Sequence, residues 1–445
     1  MSQELLDYQL VRHLQERVAD LLTVEKQRRK ATGLAELATV DEEQLALSCI
    51  DAEVKRHMQA ELAAGRDLPE QSYDQRLADA VFANMYQAGE LQELLENDLV
   101  EDIDINGADE VWVSYADGRG TIRGRPVAAN DDDLIDMVQN LAAYSGLNAR
   151  PFSVASPTLD LRLHDGSRLS AIMTAGERPA VSIRRNRYPQ MFLPTLVELG
   201  TVDPQLAAFL HAAVLARLNL MIAGGTGAGK TTLLRALINC VPAEERLITI
   251  EQSLELGLRR HPELHPNTLE WEEVLPDSDG NGGITLDQLV RRTRRQNPSR
   301  VILGEILGPE VVTVMTAMSQ GNDGSLSTLH ARSATDVFHK LATYGARFEG
   351  LTVEVMHQLT AASIDFIVYI RKNHQLGGAR SVVEVLEVTG MAGDRAAFSR
   401  LFVPSPTDGR AVRDSAVAIH RFTELTDAGY DDTTWPAPGW SVRGR

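Results

Sequence analysis

Gly224-Gly-Thr-Gly-Ala-Gly-Lys-Thr231 fits the pattern G-x-x-x-x-G-K-[ST] and governs how the rest of the chain is read. The apolar run ahead of it, 218–222, reads as a strand, and 231–240 behind it as a helix, which is the context this pattern needs. Gly224, Gly225, Gly227 and Gly229, with the small Thr226 and Ala228 between them, let backbone N–H groups converge on phosphate oxygens. The helix N-terminus adds partial positive charge. Lys230 is placed to reach the β and γ phosphates and Thr231 to hold Mg2+, with Thr232 next to them. The expected ligands are ATP and Mg2+.

Working outward, helical 204–217 and strands at 246–250 and 300–303 alternate with this element, which predicts an α/β fold: a mostly parallel sheet with helices on both faces. Hydrolysis needs carboxylates as well as a phosphate cradle. Arg246-Leu-Ile-Thr-Ile-Glu251-Gln-Ser-Leu-Glu255 is a strand running into a loop, so Glu251 and Glu255 should emerge at the end of a strand where open α/β sheets bind ligands. Val301-Ile-Leu-Gly-Glu305 repeats that arrangement, with Glu305 as a second candidate for Mg2+. Gly321-Asn-Asp-Gly-Ser-Leu-Ser-Thr-Leu-His330 brings a histidine to the end of a polar, Gly-rich stretch. Arg291, Arg292, Arg294, Arg295 and Arg300 precede the Glu305 strand, and such a cluster suits either a finger to a neighbouring nucleotide or a solvated basic face. Residues 259–284, with Pro262, Pro266, Pro276 and a Gly-rich turn, read as a flexible surface excursion.

Toward the N-terminus, residues 103–185 alternate as a smaller α/β unit, and 186–194, with Pro189 and Pro194, read as a linker. Residues 4–30 carry Leu6, Leu10, Leu14, Val18 and Leu21, flanked by Val11 and Leu22, at helical spacing, and further helices are expected from Thr39 to about 64 and over 73–87. The domain plan is an acidic helical module at 1–100, an α/β domain at 101–190, a motor domain at 191–429 and a loose tail at 430–445.

The 445 residues, 43% hydrophobic and 24% charged, fall in the ordinary globular range, which excludes a wholly disordered chain or an integral membrane protein. The formal net charge is −18, and residues 1–140 carry −17 of it, unlike a uniformly basic nucleic-acid binder. With 5% aromatics and one dense basic cluster, a strand-binding translocase of nucleic acid is disfavoured and no direct nucleic-acid partner is expected. Cys49 and Cys240 make neither a disulfide framework nor a zinc site. No basic leader opens the chain, and 206–225 is broken by His211, Arg217 and Asn219, so a cytoplasmic protein is expected.

These residues together resemble the secretion ATPases of the type II and type IV superfamily, most closely the CpaF-type branch that drives Tad/Flp pilus assembly. Besides the phosphate loop, the resemblance rests on Ile105-Asn-Gly-Ala-Asp-Glu-Val, Asp160-Leu-Arg-Leu-His-Asp-Gly-Ser-Arg168, Ser182-Ile-Arg-Arg185, Thr249-Ile-Glu251 with Glu255, Leu289-Val-Arg291, Gly304-Glu305 with Gly308-Pro-Glu, and Asp323 through His330. It implies a homohexameric motor in which an N-terminal α/β domain is hinged to a RecA-like domain. Its roles would be Glu255 for water activation, Glu305 as the Walker B carboxylate, His330 in the histidine box, and Arg184, Arg185, Arg291 and Arg295 as arginines reaching phosphates across a boundary. It also implies work at the cytoplasmic face of the inner or plasma membrane, through an inner-membrane platform protein. The chain departs from the family pattern at Gln252, Asn297, Leu307 and Asn322. A conjugation-type channel ATPase and a weakly hydrolysing regulatory scaffold remain the alternatives.

Overall fold

The computed structural model describes residues 8–32, 34, 39–65, 73–86, 89–144, 152–163, 165–173, 176–188, 190–276, 281–319, 321–373 and 378–432. The chain divides into two compact units, 1–187 and 188–445.

In the first unit, α1 (Tyr8–Ala31), α2 (Thr39–Ala63) and α3 (Tyr73–Tyr86) share one apolar core. The row that faces inward on α1 is Val11, Leu14, Val18 and Leu22, while Leu21 of the predicted stripe is 41% exposed. Steps of three and four residues keep the first four on one side of a 3.6-residue helix, and Leu21 lies a hundred degrees away from Leu22. A 3₁₀ turn at Gly89–Leu91 and α4 (Gln92–Glu96) lead to a wholly antiparallel sheet. Its strands are β1 (Val100–Asn106), β2 (Val111–Tyr115), β3 (Gly120–Arg123), β4 (Thr158–Arg162), β5 (Arg168–Ile172) and β6 (Ala180–Arg184), ordered β3-β2-β1-β6-β5-β4. Helix α5 (Asp131–Tyr144) buries Leu134 and Val138 against Ile103, Leu169 and Ile183 of this sheet. Strand β3 is exposed at all four residues, so no alternation marks it in the sequence.

The second unit begins with α6 (Leu193–Glu198) and α7 (Pro204–Leu215), the latter started by Asp203, whose carboxylate accepts from Leu206 N at 2.6 Å. Then come β7 (Leu220–Gly224), α8 (Lys230–Ile238), β8 (Leu247–Glu251), β9 (Thr268–Glu272), α9 (Leu286–Thr293), β10 (Arg300–Ile306), α10 (Val311–Ser319), β11 (Leu326–His330), α11 (Asp336–Glu349) and α12 (Val353–Ser363). Strands β12 (Phe366–Asn373), β13 (Ala379–Ala392), β14 (Arg395–Pro404) and β15 (Ala411–Arg413) and helix α13 (Phe422–Asp427) complete it. The sheet order is β15-β14-β13-β12-β7-β11-β10-β8-β9. The run from β12 to β9 is parallel, as expected; β13 to β15 extend it with antiparallel strands. Leu220, Ile302 and Phe366 point to one face and Met221, Leu303 and Ile367 to the other, each face with its own core, as strands covered on both sides require.

Two expectations need correction. The segment 259–284 is not wholly an excursion, because β9 within it closes the sheet beside β8. Flanking prolines and a single Leu269/Trp271 alternation hid the strand, and it forms because those two side chains pack on a core already built. Tyr430, assigned to the tail, is buried with its ring 5.4 Å edge-on to Phe209. Residues 433–445 lie outside the described residues.

Candidate nucleotide site

Sheet register builds the site. Gly224 at the end of β7 pairs with His330 of β11 on one side and with Ile370 of β12 on the other. A Cβ on Gly224 would come 2.5 Å from the Ile370 carbonyl oxygen, so the loop can leave the sheet here only from a glycine. The chain then turns through Gly227 (φ 67°) and Gly229 (φ 99°) into α8, whose first turn has no side-chain cap. Its leading N–H groups are therefore available to an anion.

Lys230 opens α8 and is buried. Its Nζ donates to the Gly225 carbonyl at 3.2 Å and lies 3.1 Å from His330 Nδ1 and 3.8 Å from Glu305 Oε1. Burial first, then the Lys230 ammonium, hold the His330 imidazole below its usual pKa against the pull of Glu305. The ring is thus neutral near pH 7 and lies between the two charges, with Nδ1 3.1 Å from Lys230 Nζ and Nε2 3.0 Å from Glu305 Oε1. The β10–β11 ladder is interrupted between Leu303 and Ile306, which re-aims Glu305. Thr328 Oγ1 donates to the freed Gly304 carbonyl at 2.7 Å and holds the irregularity in place. Glu305 Oε1 is enclosed yet meets no aligned hydrogen-bond donor. Such an oxygen suits a cation or its hydration water, and among the described residues no cluster of three or more acidic, His or Cys side chains offers a fuller cage. That donor set fits Mg2+, which takes one or two protein oxygens and completes its shell with phosphate and water.

The two carboxylates of the 246–255 element have separate places. Glu251 is buried and turned back into its own loop, where Oε1 accepts from Glu255 N at 2.9 Å and Leu256 N at 3.0 Å. Burial pushes its pKa up to about 8. Its room comes from Gly304, where a Cβ would sit 2.9 Å from Glu251 Cγ. Glu255, by contrast, is half-buried at the bend that Glu251 secures. Strand β9 adds two more braces, since Glu270 accepts from Leu258 N at 2.6 Å and Glu272 from Leu254 N at 3.3 Å.

Sequence reading overlooked two arginines. Arg235, in the second turn of α8 and buried, donates to the Glu255 carbonyl at 2.8 Å, the Leu256 carbonyl at 3.3 Å and the Tyr188 carbonyl, so the helix that begins with Lys230 also grips the acidic loop. Arg380 of β13 donates to the Gly227 carbonyl at 2.9 Å and brings a guanidinium to the phosphate loop. No local motif marks either; a lone arginine inside the apolar α8 pattern was the available signal for Arg235.

The expected arginines are only partly in position to act. Arg184 is exposed on β6 with Asp102 at 2.8 Å, but Arg185 is buried in the first unit and donates to the Asn97 and Leu94 carbonyls. Of that pair only Arg184 is presented. Arg291, paired with Asp287 at 2.8 Å, and Arg295 lie on the exposed side of α9 and its C-terminus. Arg300 of the cluster is fully enclosed, bound to Glu245 at 2.7 and 2.9 Å and to the Val214 carbonyl at 2.8 Å, and serves the fold. The four departures have local reasons or lie at the surface. Asn297 takes φ 52°, a conformation asparagine tolerates. Asn322 donates to the Ala317 carbonyl at 3.2 Å, the Leu307 N–H donates to Glu310, and Gln252 is exposed.

Comparison with known proteins adds the following. The type II/IV secretion system protein family matches residues 85–371. A putative conjugal transfer protein of Mycobacterium tuberculosis is 30% identical over 341 residues, covering 75% of this chain and 92% of that one. Protein VirB11 of Agrobacterium fabrum is 30% identical over 313 residues, covering 63% and 87%. The crystal structure of the VirB11 ATPase from the Brucella suis type IV secretion system, in complex with sulphate, has a TM-score of 0.36 at 24% identity over 67% of this chain and 95% of that one.

Proposed function

This chain belongs to the type II/IV secretion system protein family, and from that membership we propose that it is a Mg2+-dependent ATPase, a homohexameric motor that powers Tad/Flp-type pilus assembly or protein secretion through a membrane platform protein. The observation that carries the reading is the convergence of the buried Lys230 with the half-buried Glu305 and His330 at the carboxyl ends of three adjacent parallel strands, around a glycine loop that opens a helix.

The residues divide the work. The N–H groups of 225–232 cradle the phosphates, and Lys230 neutralises them. Thr231 and Glu305 are the oxygens that would hold Mg2+, which supplies charge neutralisation at the phosphates when bound. Glu255 orients and deprotonates the attacking water. His330, neutral and wedged between Lys230 and Glu305, senses whether Lys230 is engaged by phosphate. Arg184, Arg291 and Arg295 are the exposed arginines available to a neighbouring subunit's nucleotide, and Arg380 to the chain's own. Among the described residues no helix is long and apolar enough to cross a membrane, so attachment at the cytoplasmic face would run through a partner. The acidic residues at 98–110 suit basic loops of such a partner better than anionic lipid, which would repel them.

The test is phosphate release by purified protein at concentrations where rings form. Wild type should turn over ATP, Lys230→Ala should neither bind nor hydrolyse it, and Glu255→Ala should bind without hydrolysis. Turnover no higher than in Lys230→Ala would replace the motor with the nucleotide-binding scaffold. A conjugation-type channel ATPase is the second reading, supported by the relatives named for conjugal transfer and VirB11. Deleting the gene separates the two: loss of pili favours the first, and loss of DNA transfer with pili intact the second.

A further inference from the structure

The chain enters its second unit at Tyr188, and its first residues there run beside the acidic loop. The two segments are tied at three points. Buried Arg235 of α8 donates to the Tyr188 carbonyl on one side and to the Glu255 and Leu256 carbonyls, at 2.8 and 3.3 Å, on the other. Asn239, four residues on and so on the same face of the helix, donates to the Met191 carbonyl at 2.8 Å, while its Oδ1 lies 3.0 Å from Nε2 of the buried His265. Between these, Gln190 Nε2 lies 2.7 Å from His261 Nδ1. Residue 188 is thus matched with 255–256, 190 with 261 and 191 with 265, so the segments run in the same direction in a fixed register.

Apolar packing alone does not set that register. Met191, Leu256 and Leu258 share one core, and such contacts are non-directional, whereas hydrogen bonds weaken steeply when misaligned. Arg235 makes the joint stiff. Its guanidinium is divided between the two backbones, and at 5% exposure it cannot give up acceptors to water, because an enclosed charge without partners is costly. When the Tyr188 carbonyl moves, the loop that shares the same guanidinium moves with it, and the held carbonyl belongs to Glu255 itself.

We infer that Gln190, Asn239, His261 and His265 are positioning residues for hydrolysis: with Arg235 they make the placement of Glu255 depend on how the chain entering the second unit is seated against α8. The inference rests on Glu255 as the water-activating carboxylate. Asn239 follows Lys230 by nine residues, about 13 Å along the helix axis, so its tie lies far from the phosphates and acts on water activation rather than on nucleotide binding.

The experiment measures ATP hydrolysis and backbone amide exchange on the full chain for Asn239→Ala and Gln190→Ala, both at half-buried positions. The expected fall in kcat is at least about fivefold for Asn239→Ala and about threefold for Gln190→Ala, with KM for ATP within about twofold. Amides of 254–258 should exchange faster by similar factors, with β7 unchanged. Because coupling is reciprocal, a non-hydrolysable ATP analogue with Mg2+ should slow exchange over 190–193 in the wild type and lose that effect in Asn239→Ala, while still protecting 225–232 in both. A merely structural tie would leave the protection of 190–193 intact. Unchanged exchange over 254–258 in both variants, faster exchange there with full kcat, or a rise in KM in place of a fall in kcat would each overturn the inference. Should Asn239→Ala lower the thermal midpoint of the whole chain, Gln190→Ala decides alone. Absence of hydrolysis in the wild type refutes the motor reading, and the exchange measurements still decide whether the entering segment holds the acidic loop.

Discussion

Glu251→Gln separates a structural carboxyl from a catalytic one. In the folded chain Glu251 is buried and holds its proton up to about pH 8, against an ordinary value of 4.5. Between those values the folded state keeps a proton that the unfolded state releases, so the group's contribution to stability is complete below pH 4.5 and declines as pH rises toward 8. The decline is at most about 1.4 kcal/mol per pH unit, hence about 2 kcal/mol from pH 6 to pH 7.5. Glutamine keeps the oxygen that accepts from Glu255 N and Leu256 N and cannot ionise. Thermal unfolding of wild type and variant at several pH values reads the difference, in which every other titrating group cancels. For a unit of this size about 2–4 °C accompanies each kcal/mol, so the Tm of the variant relative to wild type should rise by about 4–8 °C between pH 6 and pH 7.5. Hydrolysis at pH 7.5 should stay within about threefold of wild type, whereas Glu255→Gln should lose at least about a hundredfold, the scale of a lost general base. A Tm difference that is constant with pH would show Glu251 ionised in the folded state. A well-folded Glu251→Gln that fails to hydrolyse ATP would move the water-activating role from Glu255 to Glu251.

Other outcomes follow from the same geometry. Gly304→Ala places a methyl group 2.9 Å from Glu251 Cγ and should destabilise the chain by about 1–3 kcal/mol, read as a lower denaturation midpoint. Arg235→Met removes the donors to the Glu255 and Leu256 carbonyls; kcat should fall while KM for ATP changes little, and equal changes in both would assign Arg235 to nucleotide binding instead. Because His330 is held neutral by burial and Lys230, hydrolysis should persist as pH falls through 6.5, the ordinary imidazole value, and decline only below it as the ring gains a charge beside the ammonium. A pH–rate profile that breaks at or above 6.5 would contradict that environment. Reversing several acidic residues within 98–110 should weaken binding to a basic platform loop, measured by co-purification, and unaltered binding would remove that surface from the docking reading.

Much of this was legible in the chain because some determinants are local. A phosphate loop depends on glycines at fixed offsets between a strand and a helix, so Gly224 through Thr231 declared both the ligand and the parallel sheet that must carry it. Glu305 and His330 could be nominated for the same reason, each ending a strand in a sheet whose carboxyl edge binds ligands. Tertiary structure decided which nominees meet. Pairing of Gly224 with His330, and the irregularity of β10 at Gly304 and Glu305, are properties of strand register, which no single segment contains. The same holds for the carboxyls and arginines: Glu251 and Glu255, or Arg185 and Arg184, are alike as residue types and differ in what surrounds them. A missing Cβ at Gly304 and two nearby backbone carbonyls above Arg185 turn one of each pair inward. Burial and partner geometry set the chemistry of a side chain, and both come from residues distant in sequence, so composition and spacing determined the kind of site while packing determined which atoms make it.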